Sequence, residues 1–170
     1  MIVEVELPFF LNPMKKFGVR ELSRITHSDT KTVMKYLKKL RQKHLIVKHS
    51  EEGTYAKYEA DRESLLYRHE KSEYLVKKVL ESGLIEDLET RCHPTAIVLF
   101  GSVQKGTYHQ NSDIDIFVLA KEKKLDLHLF EKKIGYPIQL LFEENLRVLS
   151  KGLLGNIYNG LVLAGKLEVL

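Results

Sequence analysis

Two carboxylates separated by one residue, Asp113 and Asp115, interrupt an otherwise apolar run. Alternate residues of a strand point to the same face, so the two acids share one face while Ile114 and Ile116 point into the core. Like charges this close repel each other unless a cation lies between them, and acids in an apolar strand are costly without such a role. Magnesium prefers oxygen ligands and is commonly shared between carboxylates and phosphates. The pair therefore predicts a magnesium site.

A second candidate, Gly101-Ser102, ends the apolar run Thr95–Phe100, which is typical of a strand covered on both faces. Glycine lets a phosphate approach the backbone, and the amides that open the next turn point toward the anion. The Ser102 hydroxyl adds a donor, and Gly106 permits a second sharp turn. These features predict a phosphate site.

The polar loop before the acids offers weaker candidates. His109 is a candidate triphosphate contact, and Tyr108 either stacks on a base or packs in the interior. The seven histidines show no metal-ligand spacing, and Cys92, the single cysteine, is interpreted as inert.

The spacing of these residues carries a family resemblance. Gly101-Ser102, ten intervening residues and Asp113-Ile114-Asp115 resemble the signature of the DNA polymerase β-like nucleotidyltransferase superfamily, in its minimal nucleotidyltransferase branch. The resemblance covers about residues 90–170. It also includes Phe100, Gly106, Ser112 and the closing Asn159–Gly165.

This resemblance implies a mixed sheet flanked by helices and the transfer of a nucleoside monophosphate to an acceptor hydroxyl. Asp113 and Asp115 would be the catalytic residues and would hold Mg²⁺, with room for two ions. A nucleoside triphosphate, ATP foremost, would place its phosphates at Gly101, Ser102 and Ser112.

One position departs from the family pattern. Members commonly carry a third carboxylate on a later strand, and the matching strand here, Tyr136–Phe142, has Gln139 at that position. A glutamine is neutral and cannot take a proton from a hydroxyl. Glu143 and Glu144 are alternative acids, although we expect them to open the next helix, where negative charge is favourable.

Residues 7–60 have a different pattern, with three helical segments followed by two short strands. A helix is predicted over Val19–Ile25, followed by a turn and N-cap at His27-Ser28-Asp29 and by a second helix. The second helix has Val33, Leu37 and Leu40 on one face and Lys31, Lys35, Lys38 and Gln42 on the other. The runs Leu45–His49 and Tyr55–Glu59 predict a hairpin that turns at Gly53.

This order of elements resembles a winged helix-turn-helix domain, most like those of bacterial and archaeal transcription regulators. The resemblance implies that the second helix enters the major groove of double-stranded DNA, with contacts from Lys31, Thr32, Lys35 and Lys38. We expect His27, His44 and His49 on the same surface. Lysine favours phosphate neutralisation over base reading. An ordinary solvated face and a protein-binding surface remain alternatives.

The whole chain is therefore expected to be an α+β protein with three parts: residues 1–61 as the winged helix, 62–89 as connecting helices and 90–170 as the nucleotidyltransferase domain. Its 170 residues carry a net charge of +4, with Lys31, Lys35, Lys38, Lys39, Arg41 and Lys43 crowded into one segment. The single cysteine, the absence of an apolar run of about 18 residues and the start of the chain all favour a cytoplasmic protein.

Three functions fit these observations. The first is a magnesium-dependent nucleotidyltransferase that the winged helix brings to nucleic acid or to a protein acceptor. The second is a DNA-binding regulator whose pocket binds nucleotide with weakened or absent turnover. The third follows from the family, whose stand-alone members often act as antitoxins toward a partner RNase. A homodimer is compatible with each of them, and Gln139 separates the first from the second.

Overall fold

The computed structural model describes residues 5–50 and 52–168. The chain divides into two compact units, Met1–Lys71 and Ser72–Leu170. The boundary falls inside one helix, Leu65–Glu81, which the pattern predicted as a connecting helix over Arg62–Leu80. Among the described residues, no helix is long and apolar enough to cross a membrane.

The first unit contains three helices and a small antiparallel sheet. Its elements are α1 (Leu7–Leu11), β1 (Phe17–Gly18), α2 (Val19–Ile25), α3 (Thr30–Gln42), β2 (Ile46–His49) and β3 (Lys57–Ala60). The strands lie in the order β1-β3-β2. Ile46 pairs with Ala60 in the hairpin, and Phe17 of β1 pairs with Tyr58.

Helix α2 has the predicted bounds, and α3 begins directly after the predicted N-cap segment. Val33, Leu37 and Leu40 are buried on one face of α3. The Asp29 carboxylate caps α3 by accepting hydrogen bonds from the Thr32 backbone N–H (2.9 Å) and from its hydroxyl (2.6 Å). Strand β1 was not predicted, because two residues are too short for an alternating pattern to be visible.

The second unit is built on a four-stranded sheet. After α4 (Leu65–Glu81), its elements are α5 (Leu84–Cys92), β4 (Ala96–Phe100), α6 (Gly101–Gln104), β5 (Ile114–Leu119), α7 (His128–Ile134), β6 (Ile138–Glu143), a 3₁₀ turn (Leu146–Val148), α8 (Lys151–Tyr158) and β7 (Leu161–Gly165). The strand order is β6-β5-β4-β7. Strands β5 and β6 are parallel and the other two pairs are antiparallel, so the predicted α+β fold with a mixed sheet is confirmed.

Each face of this sheet has its own core. On one face, Ile97 and Leu99 belong to a buried cluster with Leu84 and Leu88 of α5. Residues 72–89 were predicted as part of a connection. In the structure they belong to the second unit, and α5 contributes side chains to its core. On the other face, Val98 and Phe117 pack with Leu146 of the 3₁₀ turn and Ile157 of α8.

Gly160, in the closing segment Asn159–Gly165, lies tightly against β4. A Cβ at this position would lie 2.6 Å from Cγ1 of Val98 and 2.8 Å from the carbonyl oxygen of Leu99. Only glycine therefore lets the end of α8 come this close to β4 before the chain enters β7.

Candidate active site

Three strand ends meet at one end of the second unit's sheet. Phe100, the last residue of β4, pairs with Asp115 of β5, and Asp115 pairs with Gln139 of β6. Paired residues of neighbouring strands point to the same face of a sheet. Phe100, Asp115 and Gln139 therefore form a row across three strands, and Asp113 precedes this row on the same face.

Gly101 lies directly against the Asp115 carboxylate. Its φ angle is +76°, a left-handed conformation that favours glycine. A Cβ on Gly101 would overlap Oδ2 of Asp115 and would lie 3.2 Å from Cγ. Glycine is thus required here for two reasons. The backbone turn into α6 needs a positive φ angle, and the Asp115 carboxylate leaves no room for a Cβ atom.

The two carboxylates differ in their surroundings. Asp113 is exposed, whereas Asp115 is half-buried. Burial raises the pKa of the Asp115 carboxyl, and repulsion from Asp113 raises this pKa further. A cation near both oxygens would relieve that repulsion and favour the ionised form of Asp115.

The donor set fits one magnesium ion. Mg²⁺ usually takes one or two carboxylates and completes its shell with waters and substrate phosphates, and Asp113 and Asp115 supply such a pair. Within residues 5–50 and 52–168, no group of three or more His, Cys, Asp or Glu side chains is placed to hold a metal. Any second ion would therefore depend largely on ligands from the substrate.

Gln139 stands beside Asp115 where the family pattern expects an acid. It is exposed, in direct register with Asp115 on the parallel strand. Glu143 pairs instead with Leu119, four residues farther along β5, which is roughly 13 Å at the rise of a strand. Glu143 is therefore too far along the sheet to replace Gln139 in this row.

The expectation that Glu143 and Glu144 open the next helix is wrong. Glu143 ends β6, and the element that follows Glu144 is the 3₁₀ turn. Asn145 caps this turn, because its side-chain oxygen accepts a hydrogen bond from the Arg147 N–H at 3.0 Å. A short polar side chain caps a turn in this way without any contribution from negative charge.

The loop before the acids is held by its own hydrogen bonds. The Ser112 hydroxyl oxygen accepts from the His109 N–H at 2.9 Å, and the Ser112 N–H donates to the His109 carbonyl at 3.0 Å. Nδ1 of the exposed His109 accepts from the Asn111 N–H at 3.3 Å. Both the side chain and the backbone of Ser112 therefore shape this loop.

Tyr108 does not stack on a base. Its side chain is fully buried, and its ring meets the Tyr136 ring edge-on with centroids 5.6 Å apart. Of its two predicted roles, packing is the one that the structure supports. Cys92 is likewise buried, in the core under β4.

A family comparison matches the segment that carries these residues. Residues 81–159 match the nucleotidyltransferase domain family. The match covers slightly less than half of the chain and includes Gly101, Asp113, Asp115 and Gln139. We call residues 81–159 the nucleotidyltransferase domain, and such a domain supports nucleotidyl transfer as its function. No curated protein is significantly similar to the chain.

The first unit carries a separate basic surface on α3. Lys31, Lys35 and Lys38 are exposed along this helix. Thr32 is different, since its hydroxyl donates its proton to the Asp29 carboxylate at 2.6 Å. In this arrangement the Thr32 side chain supports the start of the helix, and the lysines provide the positive charge of the surface.

The three histidines that we expected on the DNA-facing surface have local roles. His27 follows α2 with a φ angle of +50°, and His44 follows α3 with a φ angle of +54°. His49 pairs across the hairpin with Glu59, with Nε2 and Oε1 2.7 Å apart. Each histidine therefore contributes to a turn or to the pairing of two strands.

Proposed function

We propose that the second unit transfers a nucleoside monophosphate from a nucleoside triphosphate to an acceptor hydroxyl, and that the first unit is a winged helix that brings this activity to double-stranded DNA. One observation carries the catalytic part. Gly101 packs against the Asp115 carboxylate inside the nucleotidyltransferase domain, which puts the turn into α6 beside an acidic pair.

The backbone at Gly101 and the hydroxyls of Ser102 and Ser112 would bind triphosphate oxygens, and Asp113 and Asp115 would hold Mg²⁺. Magnesium, when bound, neutralises charge on the phosphates and helps align the attacking oxygen with the α-phosphorus. The acceptor oxygen forms a bond to that phosphorus, the bond to the bridging oxygen breaks, and pyrophosphate leaves.

No acid in the row of Phe100, Asp115 and Gln139 other than Asp115 is placed to take the proton from the acceptor hydroxyl. Gln139 lies beside Asp115, and its amide cannot accept a proton at neutral pH. The proton therefore passes to solvent or to a phosphate oxygen, and we expect slow turnover. The same observation favours a second candidate function, in which the site binds nucleotide and regulates DNA binding without transfer.

Labelled transfer separates these two functions. The full chain is incubated with Mg²⁺ and each of the four α-³²P nucleoside triphosphates, with duplex DNA or a cell extract as the source of acceptors. Transfer by the wild type that is lost in Asp115→Asn and kept in Glu122→Gln, an exposed acid after β5, supports the enzyme.

The Gln139→Asp variant completes this test. If the wild type gives no product and Gln139→Asp does, the regulatory function is favoured, because the site then lacks only the base. If neither the wild type nor Gln139→Asp transfers label to any acceptor, the catalytic proposal is wrong.

The support for DNA binding lies in the first unit. Helices α2 and α3 are joined by a short turn, α3 is followed by the β2–β3 hairpin, and α3 presents its lysines to solvent. A helix of this kind fits the major groove, where lysines neutralise phosphates on both sides. The hairpin adds two further exposed cations, Lys48 and Lys57.

A further inference from the structure

Met34 is an exposed apolar side chain beside the lysines of α3. Lys31, Met34, Lys35 and Lys38 follow the spacing i, i+3, i+4 and i+7, so they share one face of α3. All four are exposed, and Met34 keeps 57% of its surface accessible. Along the helix axis Lys31 precedes Met34 and Lys38 follows it, and Met34 lies at one edge of this row of lysines.

A cavity of about 530 Å³ adjoins Met34 within the first unit. The start of α2, the start of α3 and the hairpin form its walls, with Val19, Tyr55 and Tyr58 among the lining residues. Tyr55 is 86% exposed, and the Arg20 guanidinium lies 5.7 Å from the centre of its ring. The cavity thus has largely apolar walls, and Arg20, Lys48 and Glu21 are the charged residues that line it.

The lysines and Met34 together indicate which kind of ligand fits this face of α3. The row of lysines beside Met34 calls for a ligand with a line of negative charges, and the methionine calls for an apolar group next to that line. The major groove of DNA has this arrangement, because phosphates border it and the thymine C5-methyl is the apolar group displayed by its bases. Methionine is well suited to such a contact because its side chain is flexible and polarisable.

We propose that Met34 contacts thymine methyl groups in the major groove and gives the first unit its preference among DNA sequences. This inference rests on the proposed DNA binding. The lysines hold the helix on the phosphates, which carry no direct sequence information, and Met34 reads the base edge. The cavity behind Met34 gives its side chain room to adjust to the methyl group.

The test uses two duplexes that differ only in the thymine methyl. One contains alternating deoxyadenosine and thymidine, and the other has deoxyuridine in place of every thymidine. Binding of the full chain is measured at low salt by fluorescence anisotropy. Since burying one methyl-sized group favours binding about fourfold, the wild type is expected to bind the thymidine duplex at least about fourfold more tightly.

Two variants assign the effect to Met34. Met34→Ala should bind both duplexes equally, with most of its phosphate-dependent affinity intact. Met14→Ala makes the same change at another exposed methionine of this unit, 71% accessible and outside α3, and should keep the wild-type preference. Melting curves of both variants verify that the first unit is folded.

The outcomes separate this inference from the proposed function. Equal binding of the two duplexes by the wild type overturns the thymine contact and leaves DNA binding in place. A thymidine preference that Met34→Ala retains overturns the role of Met34. Binding of neither duplex overturns DNA binding together with this inference, and it favours an acidic protein surface as the partner of α3.

Discussion

The Asp115 carboxylate packs against the Cα atom of Gly101, at the point where β4 turns into α6. This contact joins the two halves of the signature, which lie on antiparallel neighbours and are separated by a loop. It also places the acid whose pKa is raised next to the backbone that a phosphate would approach.

Replacing Gly101 by alanine should displace the Asp115 carboxylate. The new Cβ would overlap Oδ2 of Asp115, and a side chain at a φ angle of +76° adds strain of roughly 1–2 kcal/mol. We expect Gly101→Ala to fold with reduced stability, measured by urea denaturation, and to lose nucleotide binding.

The matched control is Gly152→Ala in α8, where a Cβ would meet no atom within 4 Å. Alanine is preferred to glycine in a helix by about 0.5–1 kcal/mol, so this variant should be at least as stable as the wild type. A Gly101→Ala protein as stable and as active as the wild type would contradict the contact.

The raised pKa of Asp115 should make stability depend on pH. Burial is the larger cause and Asp113 the smaller. Above the ordinary value of 3.8 the folded state holds the Asp115 proton longer than the unfolded chain does, so this group lowers the free energy of unfolding as pH rises through that window. Asp115→Asn removes the penalty and should be more stable than the wild type at pH 7.

Several measurements check this expectation. The stability gain of Asp115→Asn should shrink as pH falls toward 3.8, because the wild-type carboxyl is then protonated as well. Asp113→Asn should give a smaller gain, since it removes only the repulsion. Thermal melts at neutral and acidic pH test both points, and a gain that is the same at all pH values would refute the assignment.

The lysines of α3 should control the salt dependence of DNA binding. Each phosphate contact contributes about 0.9 to the slope of log affinity against log salt. Reversing Lys35 and Lys38 to glutamate should therefore lower the slope by about 2 and weaken binding to all sequences alike. Anisotropy titrations at several salt concentrations measure both quantities.

A double variant of the second unit controls for the change in net charge. Lys124→Glu with Lys132→Glu alters two exposed lysines outside α3 and should leave the slope close to that of the wild type. An unchanged slope for the α3 variant would exclude this helix as the contact surface.

Local sequence patterns predicted the elements whose signals lie within a few residues of each other. The cap at Asp29 and the stripe of Val33, Leu37 and Leu40 place α3 within one turn, because both signals act over a few residues. The apolar runs likewise predicted β4 and β5, and the single intervening residue predicted that Asp113 and Asp115 share a face.

Features that depend on distant contacts were not predictable in the same way. The burial of Tyr108 requires Tyr136, 28 positions later in the chain. The register of Gln139 with Asp115 is a property of two parallel strands joined through α7, so the sequence indicated the position only through the family pattern. The contact between Gly101 and Asp115 is likewise visible only once β4 and β5 are paired.

We propose that Gly101, Asp113 and Asp115 form a magnesium-dependent nucleotide site. Isothermal titration of the full chain with a non-hydrolysable nucleoside triphosphate, with Mg²⁺ and with a chelator, measures this binding. Since hydrogen bonds to charged groups contribute about 1.5–3 kcal/mol, binding in Mg²⁺ should weaken about tenfold or more with the chelator and in Asp115→Asn, and should be unchanged in Glu122→Gln. Equal affinity of the wild type and Asp115→Asn, or affinity that is indifferent to Mg²⁺, would contradict the claim.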